Sequence, residues 1–456
     1  MRSINIPIIA LCFILGFLQS CKKYLDAKPD KSLVVPTTVQ DLQGILDNWR
    51  YMNVECSELS EIASDNYYLT DNSYLGLPND YSRDAYIWTP GMFVGVPTVD
   101  WTYEYNVVYN ANIVLDNIDN IAKDPTTISD WNYCKGSALL FRAKAFYEIA
   151  QIWCKAYDEN TAGSDLGIPL RLTSDFNAPS VRATLKDTYS RIITDLQNAA
   201  LLLPTTPPTH PYRPYKAAAY GFLMRTYLSM RTYNKAKLYA DSCLQLNNQI
   251  EDFNDLDATS SYPFAAIKFT NPEDIFHTSC PVLYYDLYRR YSRIDSALYA
   301  SYDSNDLRKE IYFKNNPDGS VYFRGSYNGI YTNFNGLATD EIYLTRAECL
   351  ARAGNTTPAM EDLNSLLIKR WISGAFTPFT AIDAMDALQK ILTERRKELL
   401  MRMLRFTDIK RLNKEGANIS ITRLIQGQRY TLSPNDPRFA LPIPDVVIKY
   451  TGMQQN

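Results

Sequence analysis

Histidine is scarce, with two residues, His210 and His277, in a chain of 456. A Ser-His-Asp site or a histidine-ligated metal has to use one of them. Neither sits in a chemical motif: His210 lies in a proline-rich loop and His277 follows a short apolar run. No H-E-x-x-H, G-x-S-x-G or phosphate-binding loop is present, so both read as loop or buried histidines. A basic excess is lacking too. The formal net charge is -3, whereas a nucleic-acid binder carries a basic stripe, and no nucleic-acid partner is expected. Beyond Cys12 and Cys21, the cysteines Cys56, Cys134, Cys154, Cys243, Cys280 and Cys349 include no C-x-x-C pair. Several lie among apolar residues of helical segments, which points to buried free thiols, with a disulfide framework as the alternative. The apolar stretch Ile4–Leu18 holds 15 residues, short of the about 20 that a helix needs to cross a bilayer.

What that stretch does fit is a secretory signal. Arg2 precedes it, and Leu18-Gln19-Ser20-Cys21 closes it with an apolar residue and a small one before a cysteine. A cysteine at the cut point resembles the lipobox of bacterial lipoproteins, which predicts a signal peptide over residues 1–20 and acylation of Cys21. One acyl chain holds a membrane marginally, at about 0.8 kcal/mol per buried methylene, and two or more hold it durably. A soluble secreted protein with a chance cysteine is the competing reading.

The rest of the chain is too long for one simple core, so subdomains or a repeat array are expected. A polar leader over residues 21–36 precedes a short helix starting at Thr38, with Leu42, Ile45 and Leu46 at helical spacing. Residues 52–100 are rich in Tyr, Asn, Asp and Pro and read as surface loop. Helical patterns run over 101–121, 131–157, 185–203, 215–230 and 234–246. Periodicity is lost from 249 to 336, where Ile311-Tyr312-Phe313 and Val321-Tyr322-Phe323 flank Asn316-Pro317-Asp318-Gly319 as a hairpin. Helices resume over 340–353, 358–371 and 381–412, before Leu441-Pro442-Ile443-Pro444, which cannot be helical.

Two of the helical pairs superimpose in sequence. Tyr220, Leu223, Tyr227, Ala236 and Ala240 recur as Tyr343, Ala347, Leu350, Gly354, Ala359 and Leu363, at the spacing of the 34-residue tetratricopeptide repeat. Two ordinary helical hairpins are the plainer alternative. The expected fold is therefore α-dominated: a tetratricopeptide-like scaffold, mainly residues 101–248 and 338–413, with a loop-rich face from 52–100 and 249–337 and a minor β-hairpin. Such arrays frame contacts and carry no chemistry themselves. The run Glu394-Arg395-Arg396-Lys397-Glu398, continuing to Arg402, Arg405, Asp408 and Arg411, offers helical i,i+3 and i,i+4 ion pairs and reads as a solvated or interface face.

Tyrosine is abundant, at 34 residues. An aromatic face with a polar tip suits wet binding surfaces, and ring faces stack on sugars while amides and carboxylates meet the hydroxyls. Tyr67, Tyr68, Tyr74, Tyr81 and Trp88 crowd the first loop region; Tyr262, Phe264, Tyr284, Tyr285, Tyr327 and Tyr331 crowd the second. The candidate ligand-binding residues are Trp88, Tyr68, Tyr67, Tyr74, Tyr262, Tyr285 and Tyr331, with Asp65, Asn66 and Asn72 as polar partners. For any single one, packing of loop onto helix is the competing role, and the Asx residues are also turn formers.

These segments resemble the SusD/RagB-type family of nutrient-binding outer-membrane lipoproteins of Bacteroidetes. The resemblance is carried by Cys21-Lys22-Lys23-Tyr24-Leu25-Asp26 with Pro29; Trp101 to Asn112; Gly136 to Tyr147 with Phe141-Arg142-Ala143; and Tyr189 to Ala199 with Asp195-Leu196. Asp340-Glu341-Ile342-Tyr343-Leu344-Thr345-Arg346-Ala347-Glu348, Asp362-Leu363-Asn364, Glu394 to Leu399 with Arg405, Asp408 and Arg411, and the ending Leu441 to Pro444 with Gln455-Asn456 continue it. Two departures stand out. The family's acid-glycine pair is here Arg402-Met403, which predicts different local packing, and the acidic export signal past the cysteine is replaced by Lys22-Lys23. The resemblance implies four tetratricopeptide-like units, a partnership with a TonB-dependent transporter, and non-catalytic capture of an oligosaccharide, or of a peptide, with no cofactor, no metal and no catalytic residue. A surface glycoside hydrolase is the third reading, since a carboxylate pair for that chemistry is spatial and invisible in sequence.

Overall fold

The structure is a computed structural model that describes residues 36–96, 99–281 and 285–456. The expected signal peptide, Cys21, nearly all of the leader, and Tyr284 lie outside the described residues. Helices of eight or more residues are numbered here. Thr38 starts α1 (Val39–Leu46) by accepting from the Asp41 amide while Asp41 accepts from its own, a capping box. The expected long helices form as α2 (Val99–Ile118), α3 (Ile128–Trp153), α4 (Leu185–Leu202), α5 (Lys216–Ser229) and α6 (Tyr233–Leu244). After the irregular stretch come α7 (Thr339–Arg352), α8 (Thr356–Leu367), α9 (Ala384–Glu398) and α10 (Arg405–Asn413).

Each helix from α2 to α7 packs on the next, and α7 then receives both α8 and α9. That serial stacking is a helical-repeat scaffold, because each hairpin buries its apolar face only against its neighbours. Ala236, Ala240 and Ala359 are fully buried and let the axes approach. Gly354 turns the chain between α7 and α8 at φ +81°, with the Asn355 amide reaching back to the Leu350 carbonyl at 2.9 Å.

The loop-rich face is stitched by short antiparallel pairs, the first of which joins its two segments. Tyr67–Leu69 pairs with Ser292–Ile294, Ser279–Cys280 with Asn333–Phe334, and Asp274–Phe276 with Leu337–Ala338. The expected hairpin forms as Phe313–Asn315 against Val321–Phe323; Ile311 instead ends a short helix, Arg308–Ile311. A further hairpin, Ile421–Ile425 with Gln428–Leu432, turns at Gln426 and Gly427, both at positive φ. Gly427, a turn residue between two short runs with β-prone residues, was its sequence signal.

Three expectations are corrected. The helix over 381–412 is two helices: α9 ends at Glu398 and α10 begins at Arg405, with Met401 and Met403 at φ +58° and +60° between them. Met403 thus takes a left-handed conformation natural to the glycine it replaces in the family pattern. Among the non-signal cysteines, Cys56 and Cys280 form a disulfide, while Cys134, Cys154, Cys243 and Cys349 are free and buried. The charged run is not a solvated face. Glu394, Arg395, Lys397, Glu398, Arg402, Asp408 and Arg411 are buried, because ionic partners from distant segments meet them. Arg308 donates to Asp306 and Glu398, Arg370 bridges Glu398 (2.7 Å) and Glu273 (2.6 Å), and Arg402 pairs with Asp340 at 3.1 Å. Arg411 grips Glu348 at 2.6 Å and Asp408 at 2.8 Å. Buried ions need such partners, and the network locks the start of α7 to the break between α9 and α10.

Candidate functional site

A cleft with ligand-site dimensions is assembled from segments that are remote in sequence. Its volume is about 570 Å3, within the usual range for small-ligand sites. Trp49 follows the end of α1. His210 and Tyr212 come from the loop of residues 204–214, where prolines fix the backbone. Lys268 and Phe269 follow a short 3-10 helix, Pro263–Ile267. Asn328, Ile330 and Thr332 come from the loop before Asn333–Phe334, and Asn53 and Ser279 complete the lining.

Aromatic rings form the wall. The indole of Trp49, half exposed, stacks on Tyr212 with centroids 5.6 Å apart and planes 4° from parallel. His210 stacks on the same tyrosine at 4.9 Å, and Phe269 meets Tyr212 at 5.3 Å. Phe269 holds φ +70°, a conformation that costs energy for a bulky residue and persists where the surroundings impose it. Burial pushes the Tyr212 hydroxyl up to about 12, so it stays a neutral donor.

Cross-links hold the segments in register. Arg213 pairs with Asp47 at 2.9 Å. The Asn53 amide donates to the carbonyls of Tyr212 and His277, both at 3.0 Å. The His277 amide donates to the Pro211 carbonyl at 2.8 Å. His277 itself is fully buried, with its ring hydrogen-bonded to Asp274 and to Asn328. The Cys56–Cys280 disulfide lies beside Val54 and Ser279, joining two of the cleft's walls covalently. The arrangement offers ring faces, amides and hydroxyls; Asp47, a carboxylate of the cleft, is held by Arg213.

The structure distributes the sequence candidates differently. Trp88 and Tyr67 are buried, not ligand-facing. With Tyr86 they surround the guanidinium of Arg423, which lies 5.2 Å from the Trp88 ring, 5.2 Å from Tyr67 and 4.1 Å from Tyr86. The Trp88 indole donates to the Ala63 carbonyl at 3.1 Å. Asn66 is buried, donating to Glu61 at 2.7 Å. Asp65 receives Arg405 through two bonds, at 2.6 and 2.8 Å. Burial raises its pKa, but Arg405 and Arg396 outweigh that and hold it at about 2. These residues attach the first loop region to α9 and α10.

Tyr74 is half-buried against Tyr86 at 6.0 Å, and Asn72 is exposed in the short helix Asp71–Leu75. Tyr68, Tyr285 and Tyr331 are exposed and Tyr262 half-buried. Tyr331 sits between Ile330 and Thr332 of the cleft and meets Tyr288 at 6.2 Å, so it reaches the rim. Trp49, Tyr212 and Phe269 were missed; the signal available was an aromatic residue flanked by prolines in Pro211-Tyr212-Arg213-Pro214. A second cleft of about 500 Å3 beside α2 includes Trp101, Tyr105 and Tyr109. Its Arg171 is held by the loop it sits in, donating to Ser180 and to the carbonyls of Asp175 and Ala178.

Comparison with known proteins agrees with this architecture. A family model described as starch-binding associating with outer membrane matches residues 23–228, and the SusD family model matches residues 339–452. The chain belongs to the SusD family. A SusD-like carbohydrate binding protein from Bacteroides vulgatus superposes with a TM-score of 0.68 at 20% identity, over 91% of this chain and 97% of that one. SusD superfamily proteins from Bacteroides thetaiotaomicron and Bacteroides fragilis give TM-scores of 0.69 and 0.72 at 20% and 19% identity, over 92% of this chain and 99% of each of theirs. At that identity the likeness establishes the fold. No curated protein matches the chain. Among the described residues no helix is long and apolar enough to cross a membrane.

Proposed function

We propose that this protein captures an oligosaccharide at the cell surface without catalysis and delivers it to a TonB-dependent outer-membrane transporter. The observation that carries the reading is the parallel Trp49–Tyr212 stack, half exposed in a cleft of ligand size. A flat aromatic platform matches the apolar face of a pyranose, and the cleft that holds it is lined by polar as well as apolar residues. The family's description as starch-binding and outer-membrane-associated supports the same reading. A lipid on Cys21 tethers the protein beside the transporter, and the helical scaffold offers the docking face. Titrating the purified protein with saccharide and peptide panels, followed by tryptophan fluorescence, tests this. Saturable saccharide binding without product supports it; binding of peptides alone, or turnover of bound glycan, refutes it. Mass spectrometry of the membrane-extracted protein tests the acyl group, and co-purification of a large outer-membrane β-barrel tests the partnership.

A further inference from the structure

The cleft carries a positive charge, at Lys268, that no ion pair among the described residues neutralises. Asp47 is bound to Arg213, and Asp274 lies beneath against His277. Lys268 lines the cleft half-buried, its ammonium 4.9 Å from the Phe269 ring. Among the described residues it makes no ion pair, and burial lowers its pKa with no carboxylate acting against that.

The charge continues along the rim. Lys268 closes the 3-10 helix Pro263–Ile267, and Tyr262 caps its other end. Five 3-10 residues span about 10 Å. At the Tyr262 end stands exposed Arg289, with the tyrosines Tyr262, Tyr288 and Tyr322 as neighbours. Arg290, also exposed, lies over the Tyr291 ring at 5.6 Å. Tyr288 contacts Tyr331, which joins this tyrosine and arginine surface to the cleft lining at Ile330 and Thr332. In a chain of net charge -3, a row of cations that make no ion pair among the described residues, interleaved with half-buried and exposed rings, is a local inversion of the overall field.

We propose that the ligand is an acidic oligosaccharide, with a sugar carboxylate paired to Lys268 and further carboxylates of the same chain running toward Arg289 and Arg290. Trp49, backed by Tyr212, stacks the ring that Lys268 anchors. The half-buried ammonium is partly desolvated already, so a carboxylate there gains a charge-assisted hydrogen bond. The inference rests on saccharide capture and adds the charge class of the sugar.

The test is calorimetric titration of the purified protein with uronate oligomers (oligogalacturonate, oligoguluronate and a glucuronate-containing glycan), each beside its carboxyl-reduced neutral counterpart. At least one acid form is expected to bind about tenfold or more tighter than its counterpart, the gain of one charge-assisted bond, and to weaken as salt is raised. Lys268→Gln lowers that affinity about tenfold and flattens the salt dependence; Lys449→Gln, an exposed lysine of the C-terminal helix, leaves both unchanged. If reduced oligomers bind as tightly as every acid form, or acid forms are ignored while neutral glycans bind, the carboxylate assignment falls and saccharide capture stands. If no saccharide of either kind binds, both fall together.

Discussion

Replacing Trp49 and Trp88 one at a time separates binding from scaffolding. Trp88 is fully buried, bonded to the Ala63 carbonyl, and stacked on Arg423. Trp88→Ala forfeits about 3–5 kcal/mol of buried indole and about 1 kcal/mol for an orphaned carbonyl. The cation–π contact with Arg423 adds about 1 kcal/mol. A loss near 5 kcal/mol approaches the whole stability of a marginal domain, so Trp88→Phe, which keeps a ring, is the folded companion and costs about 1–2 kcal/mol. Trp49 is half exposed and stacks on one face only, so Trp49→Ala costs under about 1 kcal/mol of stability. It removes the platform, however, and lowers ligand affinity about 5- to 30-fold, equivalent to about 1–2 kcal/mol. Urea unfolding followed by circular dichroism reads the first quantity and titration with the captured saccharide reads the second. A folded Trp88→Phe protein that has lost its ligand, or a Trp49→Ala protein with unchanged affinity, refutes the assignment of the cleft.

Stability is expected to fall as pH rises from about 4.5 to 8. Burial is the largest cause raising Glu61 from 4.5 and Asp286 from 3.8, each to about 7. The folded state therefore holds protons that the unfolded state releases, and each group removes roughly 3 kcal/mol across the window. Asp65 and Asp408, held at about 2 by arginines, act oppositely, their stabilisation being lost only as pH falls from about 4 toward 2; a urea midpoint higher at pH 8 than at pH 5.5 contradicts this. Reduction of Cys56–Cys280, which closes a loop of 224 residues, is expected to lower unfolding stability by up to about 5 kcal/mol from loop-closure entropy and to weaken ligand binding, measured by melting and titration with and without reductant. Arg411→Met takes two of the three arginine bonds from buried Glu348 and leaves it only Arg352, at 2.9 Å; the expected loss is about 3 kcal/mol, and adding Glu348→Met restores part of it in a double-mutant cycle by urea unfolding.

The helices were legible because their signals are local. Thr38 and Asp41 cap α1 within three residues of each other, and Ala236, Ala240 and Ala359 announce close helix contact by size alone. The same local logic misread the segment from Glu394 to Arg411. On an isolated helix those charges pair with each other and face water; in the protein, Asp306, Arg308, Glu273, Arg370, Glu348 and Asp340 arrive from elsewhere and make burial affordable. Trp88 failed for a related reason, since Arg423, the cation it stacks on, lies 335 positions further along the chain. Tyr68, Tyr285 and Tyr331, read as surface tyrosines, do lie at the surface, and Tyr331 reaches the cleft rim.

By itself, then, the amino-acid sequence determined the α-dominated repeat scaffold and the family, because periodicity, capping and motif order are properties of neighbouring residues. Tertiary structure alone decided which rings face solvent, which cysteines meet and where unpaired charge collects. Trp49, Tyr212, Lys268 and Asn328 form one cleft only after Asn53, the Asp47–Arg213 pair and the Cys56–Cys280 bridge draw their segments together, and contacts of that range leave no periodic trace in the chain.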